Sequence, residues 1–279
     1  MDASIRGPQE TAEFISQYSE RKDKRGFWQL IVLSLLGGAF IALASQGSSV
    51  AIHTIASVGL AKTLAGALFA AGLMMVVFTG AELFTGNMLL VIPLLERKIR
   101  PGRVIRNWVI VYLGNLVGSL LVVLLVKISG QLDFSGGLLG GYTIAVAAKK
   151  TGLSFGKALA MGILCNWLVC LAVWMAGAAR DAAGKLIAIF FPIWLFITSG
   201  FEHSVANMYY IPAGLLALNN PLYLAKAAEL GVSDAALNGL NWGSFLLNNL
   251  VPVTLGNMIG GGVFVSMATF VAYLMKVKR

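Results

Sequence analysis

TGAELFTGN, from Thr79 to Asn87, and SGFEHSVAN, from Ser199 to Asn207, are the two stretches on which the fold turns. Each interrupts an overlong apolar run, the first from Leu64 to Leu95 and the second from Leu186 to Leu216. A carboxylate flanked by glycine inside such a run predicts unwound backbone, which a membrane tolerates only where protein buries it or water reaches it. At an offset of 120 the two interruptions align as Gly80/Gly200, Glu82/Glu202, Asn87/Asn207 and Met88/Met208. Downstream, at an offset of 142, Asn107-x-Val-x-Val-x-Leu-Gly-Asn-x-x-Gly118 recurs as Asn249 to Gly260. The chain is therefore a duplicated unit.

Counting outward from these stretches gives six apolar spans: Phe27 to Ser45, Leu64 to Leu95, Asn107 to Ile128, Phe155 to Ala178, Leu186 to Leu216 and Ser244 to Met275. Each is long enough for about 30 Å of hydrocarbon. Three spans per unit is odd, so the copies enter the membrane from opposite sides, and the fold expected is an all-α membrane protein of two inverted three-helix repeats with broken second and fifth helices. The organisation expected is a tail over residues 1–26 and a transmembrane domain over 27–279, with repeat one at about 27–130 and repeat two at about 150–279. Composition agrees: of 279 residues 58% are hydrophobic and only 12% charged, against roughly 25% in a soluble domain.

The net charge of +9 would suggest a polyanion partner on a soluble chain, but its placement points to lipid and away from nucleic acid. Arg6, Arg21, Lys22, Lys24 and Arg25 precede the first span, and Arg97, Lys98, Arg100, Arg103 and Arg106 follow the second. Arg180 and Lys185 follow the fourth, and Lys276, Lys278 and Arg279 end the chain. Threaded alternately, all of these fall on one face, predicting both termini on the cytoplasmic side of the cell's inner membrane. The tail lacks the apolar core of a cleaved signal peptide, and its Ala12, Phe14 and Ile15 suit a short interfacial helix.

Within the spans, Glu82 and Glu202 are the acidic residues of the apolar interior, where a charge costs at least about 2.5 kcal/mol. Because the repeat supplies both, they read as scaffold, with Asn87 and Asn207, that accepts hydrogen bonds from backbone donors freed by each break. His203 differs, since its partner in the first repeat is Leu83. A side chain that exchanges a proton near neutral pH, placed beside Glu202 in the membrane, points to proton handling. Thr85 lies in the opposite loop, and Lys149 and Lys150 before the fourth span suit attraction of an anion. Asn115, Asn166, Asn248, Asn249 and Asn257 need partners within the bilayer, while Gly37-Gly38, Gly114 to Gly118 and Gly260 to Gly262 suit close helix packing. Two histidines far apart and two cysteines, Cys165 and Cys170, assemble no metal site, and no nucleotide-binding or hydrolase motif occurs, so neither cofactor nor enzyme chemistry is expected.

GAELFTGN (Gly80 to Asn87), GNLVG (Gly114 to Gly118), CNWLVCLAVWMAG (Cys165 to Gly177), SGFEHSVANMYYIP (Ser199 to Pro212) and NNLVPVTLGNMIGGG (Asn248 to Gly262) together resemble the formate/nitrite transporter family. The resemblance implies an aquaporin-like fold, assembled as a homo-pentamer whose protomers conduct independently, passing small monovalent anions or their conjugate acids. It also implies that His203 is the central pore histidine and Thr85 its partner, with Asn166 and Lys150 near the pore. Phe69, Leu73, Phe84, Val169 and Phe196 would form apolar constrictions, which disfavour a hydrated anion. The mechanism expected is that Lys150 draws the anion in and protonation involving His203 lets it cross as the neutral acid or with a co-moving proton. Formate or nitrite is the expected substrate, hydrosulfide, acetate or lactate the alternative, and a membrane-embedded enzyme or scaffold the remote one.

Overall fold

The computed structural model describes residues 5–275, so Lys276, Lys278 and Arg279 of the charge pattern lie outside the described residues. In chain order the helices are α1 (Pro8–Asp23), α2 (Phe27–Ile52), α3 (Val58–Thr79), α4 (Gly86–Leu95), α5 (Pro101–Ile128), α6 (Leu138–Thr151), α7 (Phe155–Ala178), α8 (Ala182–Ser199), α9 (Ser204–Ala217), α10 (Pro221–Glu229), α11 (Asp234–Gly239) and α12 (Ser244–Leu274). Six of these, α2, α3, α5, α7, α8 and α12, are long and apolar enough to cross a membrane. Repeat one is α2, the broken pair α3–α4, and α5; repeat two is α7, the broken pair α8–α9, and α12.

The breaks are made by backbone geometry. Gly80 and Gly200 end α3 and α8 in the left-handed region, at φ of 72° and 75°, where a Cβ is strained. Three residues without regular structure follow each, Ala81 to Leu83 and Phe201 to His203; α9 then begins at once, whereas a turn at Phe84 and Thr85 precedes α4. Ahead of the breaks, α3 is 22 residues and α8 18, or about 33 and 27 Å. Each break follows a membrane-length helix, and α4 and α9 pack on the opposite repeat: α4 against α7 and α12, α9 against α2 and α5.

Several boundaries differ from those read in the sequence. The first span continues past Ser45 to Ile52 because the hydroxyls of Ser45, Ser48 and Ser49 donate to the carbonyls of Ile41, Ala44 and Ser45, one turn back. That satisfies polar side chains locally without breaking the helix. The third span begins at Pro101, a residue whose missing N–H suits a first turn. Helix α12 carries wide π turns at Ser244–Leu250, just before Pro252, which denies the carbonyl of Asn248 a helical donor. Asn248, expected to bond across helices, is instead exposed. The helices α6, α10 and α11, which periodicity did not announce, pack together beside α9.

The predicted glycine contacts are the seams of each repeat. On α2 and α5, a Cβ at Gly38 would strike the Asn115 carbonyl, and one at Gly118 the Leu35 carbonyl. On α7 and α12 the same role falls to Gly162, Gly256 and Gly260, against the carbonyls of Val253, Leu159 and Ile163. Backbones this close exclude lipid and gain dispersion contact.

The tail is the predicted helix, and its contacts place several basic clusters on one face. Arg6 donates to the Gly177 carbonyl at 2.7 Å, and Arg180 pairs with Glu10 at 2.6 Å. Ser16 bonds Glu96, Lys98 donates to Ser16 at 3.1 Å, and Arg103 donates to the Asp23 carbonyl at 3.4 Å.

Candidate functional site

One asparagine per repeat holds each extended loop. Asn115 on α5 donates through Nδ2 to the carbonyls of Ser34 (2.7 Å) and Glu82 (2.9 Å), and its Oδ1 accepts from the Phe84 N–H (2.9 Å). Asn257 on α12 does the same for Gly162 (2.8 Å), Glu202 (3.0 Å) and the Ser204 N–H (2.9 Å). The loop N–H groups of Glu82 and Glu202 donate to the carbonyls of Leu33 (2.9 Å) and Met161 (3.4 Å). Every polar backbone group named here is thus paired inside a region that offers no water.

The two carboxylates behave differently from the sequence expectation. They do not cap backbone donors, because the asparagines and helix carbonyls have already taken those. Glu82 instead accepts from Asn87 Nδ2 (2.6 Å), pairs with Lys22 (3.2 Å) and pairs with Arg25. Glu202 accepts from Asn207 Nδ2 (2.7 Å) and pairs with Lys150 (2.9 Å). Asn87 and Asn207 also donate to Asn107 (2.8 Å) and Asn249 (2.7 Å), the first residues of the repeated motif. A buried carboxylate needs such compensation, since its desolvation costs several kcal/mol.

His203 and Thr85 meet. Thr85 Oγ1 lies 2.9 Å from His203 Nε2, and both side chains are buried. The Ala206 N–H donates to His203 Nδ1 at 3.0 Å, so Nδ1 is an acceptor and carries no proton. The imidazole is therefore neutral with its proton on Nε2, which donates to Thr85. His203 caps α9 and Thr85 immediately precedes α4, so the N-terminal ends of two helices face one hydrogen bond, and their dipoles favour negative charge there. At the offset of 120, Thr85 corresponds to Val205 and His203 to Leu83, so this pair occupies positions where the repeats differ.

Asn166 and the rings close around the pair. Asn166 Nδ2 donates to the carbonyls of Thr85 (3.1 Å) and Asn257 (2.7 Å), the Cys170 thiol donates to the Thr85 carbonyl (3.2 Å), and Asn166 Oδ1 is buried without a partner among the described residues. Phe196 packs edge-on against Phe69, with centroids 5.6 Å apart, and lies 6.0 Å from the His203 ring. Phe84 packs on Tyr112 at 4.9 Å, Leu73 lines a small inner cavity, and Val169 is buried.

Two cavities flank the pair. A 430 Å³ cavity is lined by Glu202, Lys150, Lys149, Lys62 and Tyr210, and ends one residue from His203. A much smaller one, 30 Å³, is lined by Gly86, Asn87 and Leu83 with Tyr18 and Lys22 of the tail, and ends one residue from Thr85. His203 and Thr85 line neither cavity, but each is the chain neighbour of a lining residue, His203 of Glu202 in the wide one and Thr85 of Gly86 in the small one. The structure pairs Lys150 with Glu202 in the wall of the wide cavity. Sequence reasoning missed Lys22 and Arg25 as partners of Glu82, because both counted as interfacial charge, and missed Lys62 altogether.

The family described as formate/nitrite transporter matches residues 9–271. A probable formate transporter of Methanothermobacter thermautotrophicus is 38% identical over 98% of this chain and 99% of its own length. The formate channel FocA of Escherichia coli strain K12 is 37% identical over 87% of this chain and 85% of its own. Among solved structures, a pentameric formate channel with formate bound superposes with a TM-score of 0.79 at 35% identity, covering 89% of this chain and 98% of that one. An ion channel of the same family gives 0.77 at 29% identity, covering 94% and 98%.

Proposed function

The chain belongs to the formate/nitrite transporter family, and from that premise we propose that it passes formate, or nitrite, past the His203–Thr85 pair as the neutral acid or together with a proton. The observation that carries this reading is the buried His203–Thr85 pair, a donor of fixed tautomer next in the chain to residues that line two cavities, and in this reading the pair is the septum between them. The ring walls of Phe69 and Phe196 give a dehydrated anion no compensating donors. Removal from water favours the protonated form of any carboxylate. As it leaves the water of the wide cavity the anion takes up a proton from that water and becomes the neutral acid, and at the septum the Nε2–H of His203 turns from Thr85 to its oxygen and holds it by a hydrogen bond. Once protonated, the acid has an O–H to donate, and the unpartnered Asn166 Oδ1 is a suitable acceptor.

The protomer works as one of five, by analogy with the pentameric formate channel on which it superposes, with the face that carries the tail in the cytoplasm. Exposed apolar side chains such as Val109, Leu113, Val117 and Leu121 along α5 supply surface for lipid or a neighbouring copy.

The test is uptake of formate, nitrite and hydrosulfide into proteoliposomes with luminal pH recorded, for the wild type and His203→Asn. Entry of a neutral acid releases its proton inside, so the lumen should acidify with uptake, faster at lower outside pH, and His203→Asn should slow it about 100-fold. Electrogenic uptake with no proton moved, unchanged in the variant, would sink the reading; the order of rates names the substrate.

A further inference from the structure

The two breaks match in their asparagines, their carboxylates and their glycines, and differ in their cations. At the first, both cations are committed: Arg25 donates to the Gly80 carbonyl at 3.2 Å and pairs with Glu82, while Lys22 reaches Glu82 and donates to Asn87 Oδ1 at 2.7 Å. At the second, among the described residues, only Lys150 is committed, to Glu202, and Asn207 Oδ1, counterpart of the atom that Lys22 occupies, is buried without a partner. The cation beside Gly200 is Lys62 on α3: a Cβ built on Gly200 would lie 2.7 Å from its Nζ.

Among the described residues, the Lys62 ammonium has no hydrogen-bond acceptor and no carboxylate within ion-pair distance. It is half-buried in the wall of the 430 Å³ cavity, whereas Lys149 beside it is exposed. An ammonium in such a wall has lost part of its water and gained no counter-charge, so it favours an anion that arrives. Lys150 is not free to do this, since releasing Glu202 leaves a buried carboxylate uncompensated.

We propose that Lys62 is the anion-receiving residue of the wide cavity: a small monovalent anion binds its ammonium before losing water at the septum, while Lys150 stays fixed as the counter-ion of Glu202. This deepens the transport reading and rests on it.

The experiment is initial uptake against formate concentration in proteoliposomes for the wild type, Lys62→Gln, Lys62→Arg and Lys62→Cys. The last is measured before and after thiol labelling with a positively charged aminoethyl or a negatively charged sulfonatoethyl reagent, the native cysteines both being buried. Lys62→Gln should raise KM about three- to tenfold with little change in maximal rate, and should flatten the dependence of uptake on ionic strength. Lys62→Arg should stay near the wild type. The aminoethyl label should restore the low KM of Lys62→Cys, and the sulfonatoethyl label should raise it further. Wild-type uptake with KM unmoved in Lys62→Gln and by either label overturns the proposal and leaves the transport reading standing. A wild type that carries none of formate, nitrite or hydrosulfide overturns both. Should Lys62→Gln assemble poorly, the labelled Lys62→Cys, assembled before labelling, decides by the same criterion.

Discussion

Asn257 shows how much one side chain can carry when no water is at hand. It holds the Gly162 and Glu202 carbonyls and the Ser204 N–H together, and its own carbonyl accepts from Asn166. Truncation to alanine leaves the loop groups buried and unpaired, at about 1–3 kcal/mol each. Asn257→Ala is therefore expected to destabilise the protomer by about 3 kcal/mol or more, read as the midpoint of thermal unfolding in detergent. An unshifted midpoint would show that the loop finds other partners. Asn257 and its counterpart Asn115 were visible in the sequence through the repeated Gly-Asn pair, though their helix acceptors were not, because Gly162 lies on α7 and Ser34, the acceptor of Asn115, on α2. Those helices correspond at an offset of 128, as Leu33/Met161 and Ser34/Gly162 show, and identical residues there are too few to announce it.

At the level of helices, the separation of α2 from α5 is set by glycine. A Cβ at Gly118 would run into the Leu35 carbonyl, which belongs to a helix backbone and cannot swing away. Gly118→Ala should cost about 1–3 kcal/mol through overpacking. Gly102→Ala, on the same helix with nothing near its Cβ, should leave the unfolding midpoint in place or raise it slightly. Equal shifts in both would mean that helix propensity and not contact governs the seam. Glycine runs are legible in sequence as close-packing signals, but their register is a three-dimensional fact. The broken helices were legible for a firmer reason: glycine and glutamate inside an apolar run contradict an intact span. The start of the second span was read at Leu64 and lies at Val58, because Lys62 and Thr63, polar residues, read as a boundary.

For the molecule as a whole, the inverted repeats need charge from outside themselves. Repeat one takes Lys22 and Arg25 from the tail, and repeat two takes Lys150 from the end of α6. The tail is thus tied to the first broken loop by two ion pairs, which composition could not tell from an interfacial anchor. Lys22→Met with Arg25→Met should destabilise the protein by about 3–5 kcal/mol by stranding Glu82, and adding Glu82→Gln should recover much of the loss. Failure of the third change to recover stability would mean that the tail acts by packing alone. The pairing of His203 with Thr85 could be suspected from the broken symmetry at position 203, but only the fold places Asn166, Phe69 and Phe196 around it.

The order in which these partners occur along the chain has a meaning for biosynthesis. Lys22 and Arg25 precede Glu82, and Lys150 precedes Glu202, while the asparagines that lock each loop, Asn115 and Asn257, come after. On a ribosome delivering the chain into the bilayer, each acidic residue is made when its counter-charge already exists, so neither carboxylate waits in hydrocarbon for a partner not yet translated. The lock arrives one helix later. Insertion can therefore proceed in two instalments of three helices, each closing on its own final asparagine, before α4 and α9 dock on the opposite repeat.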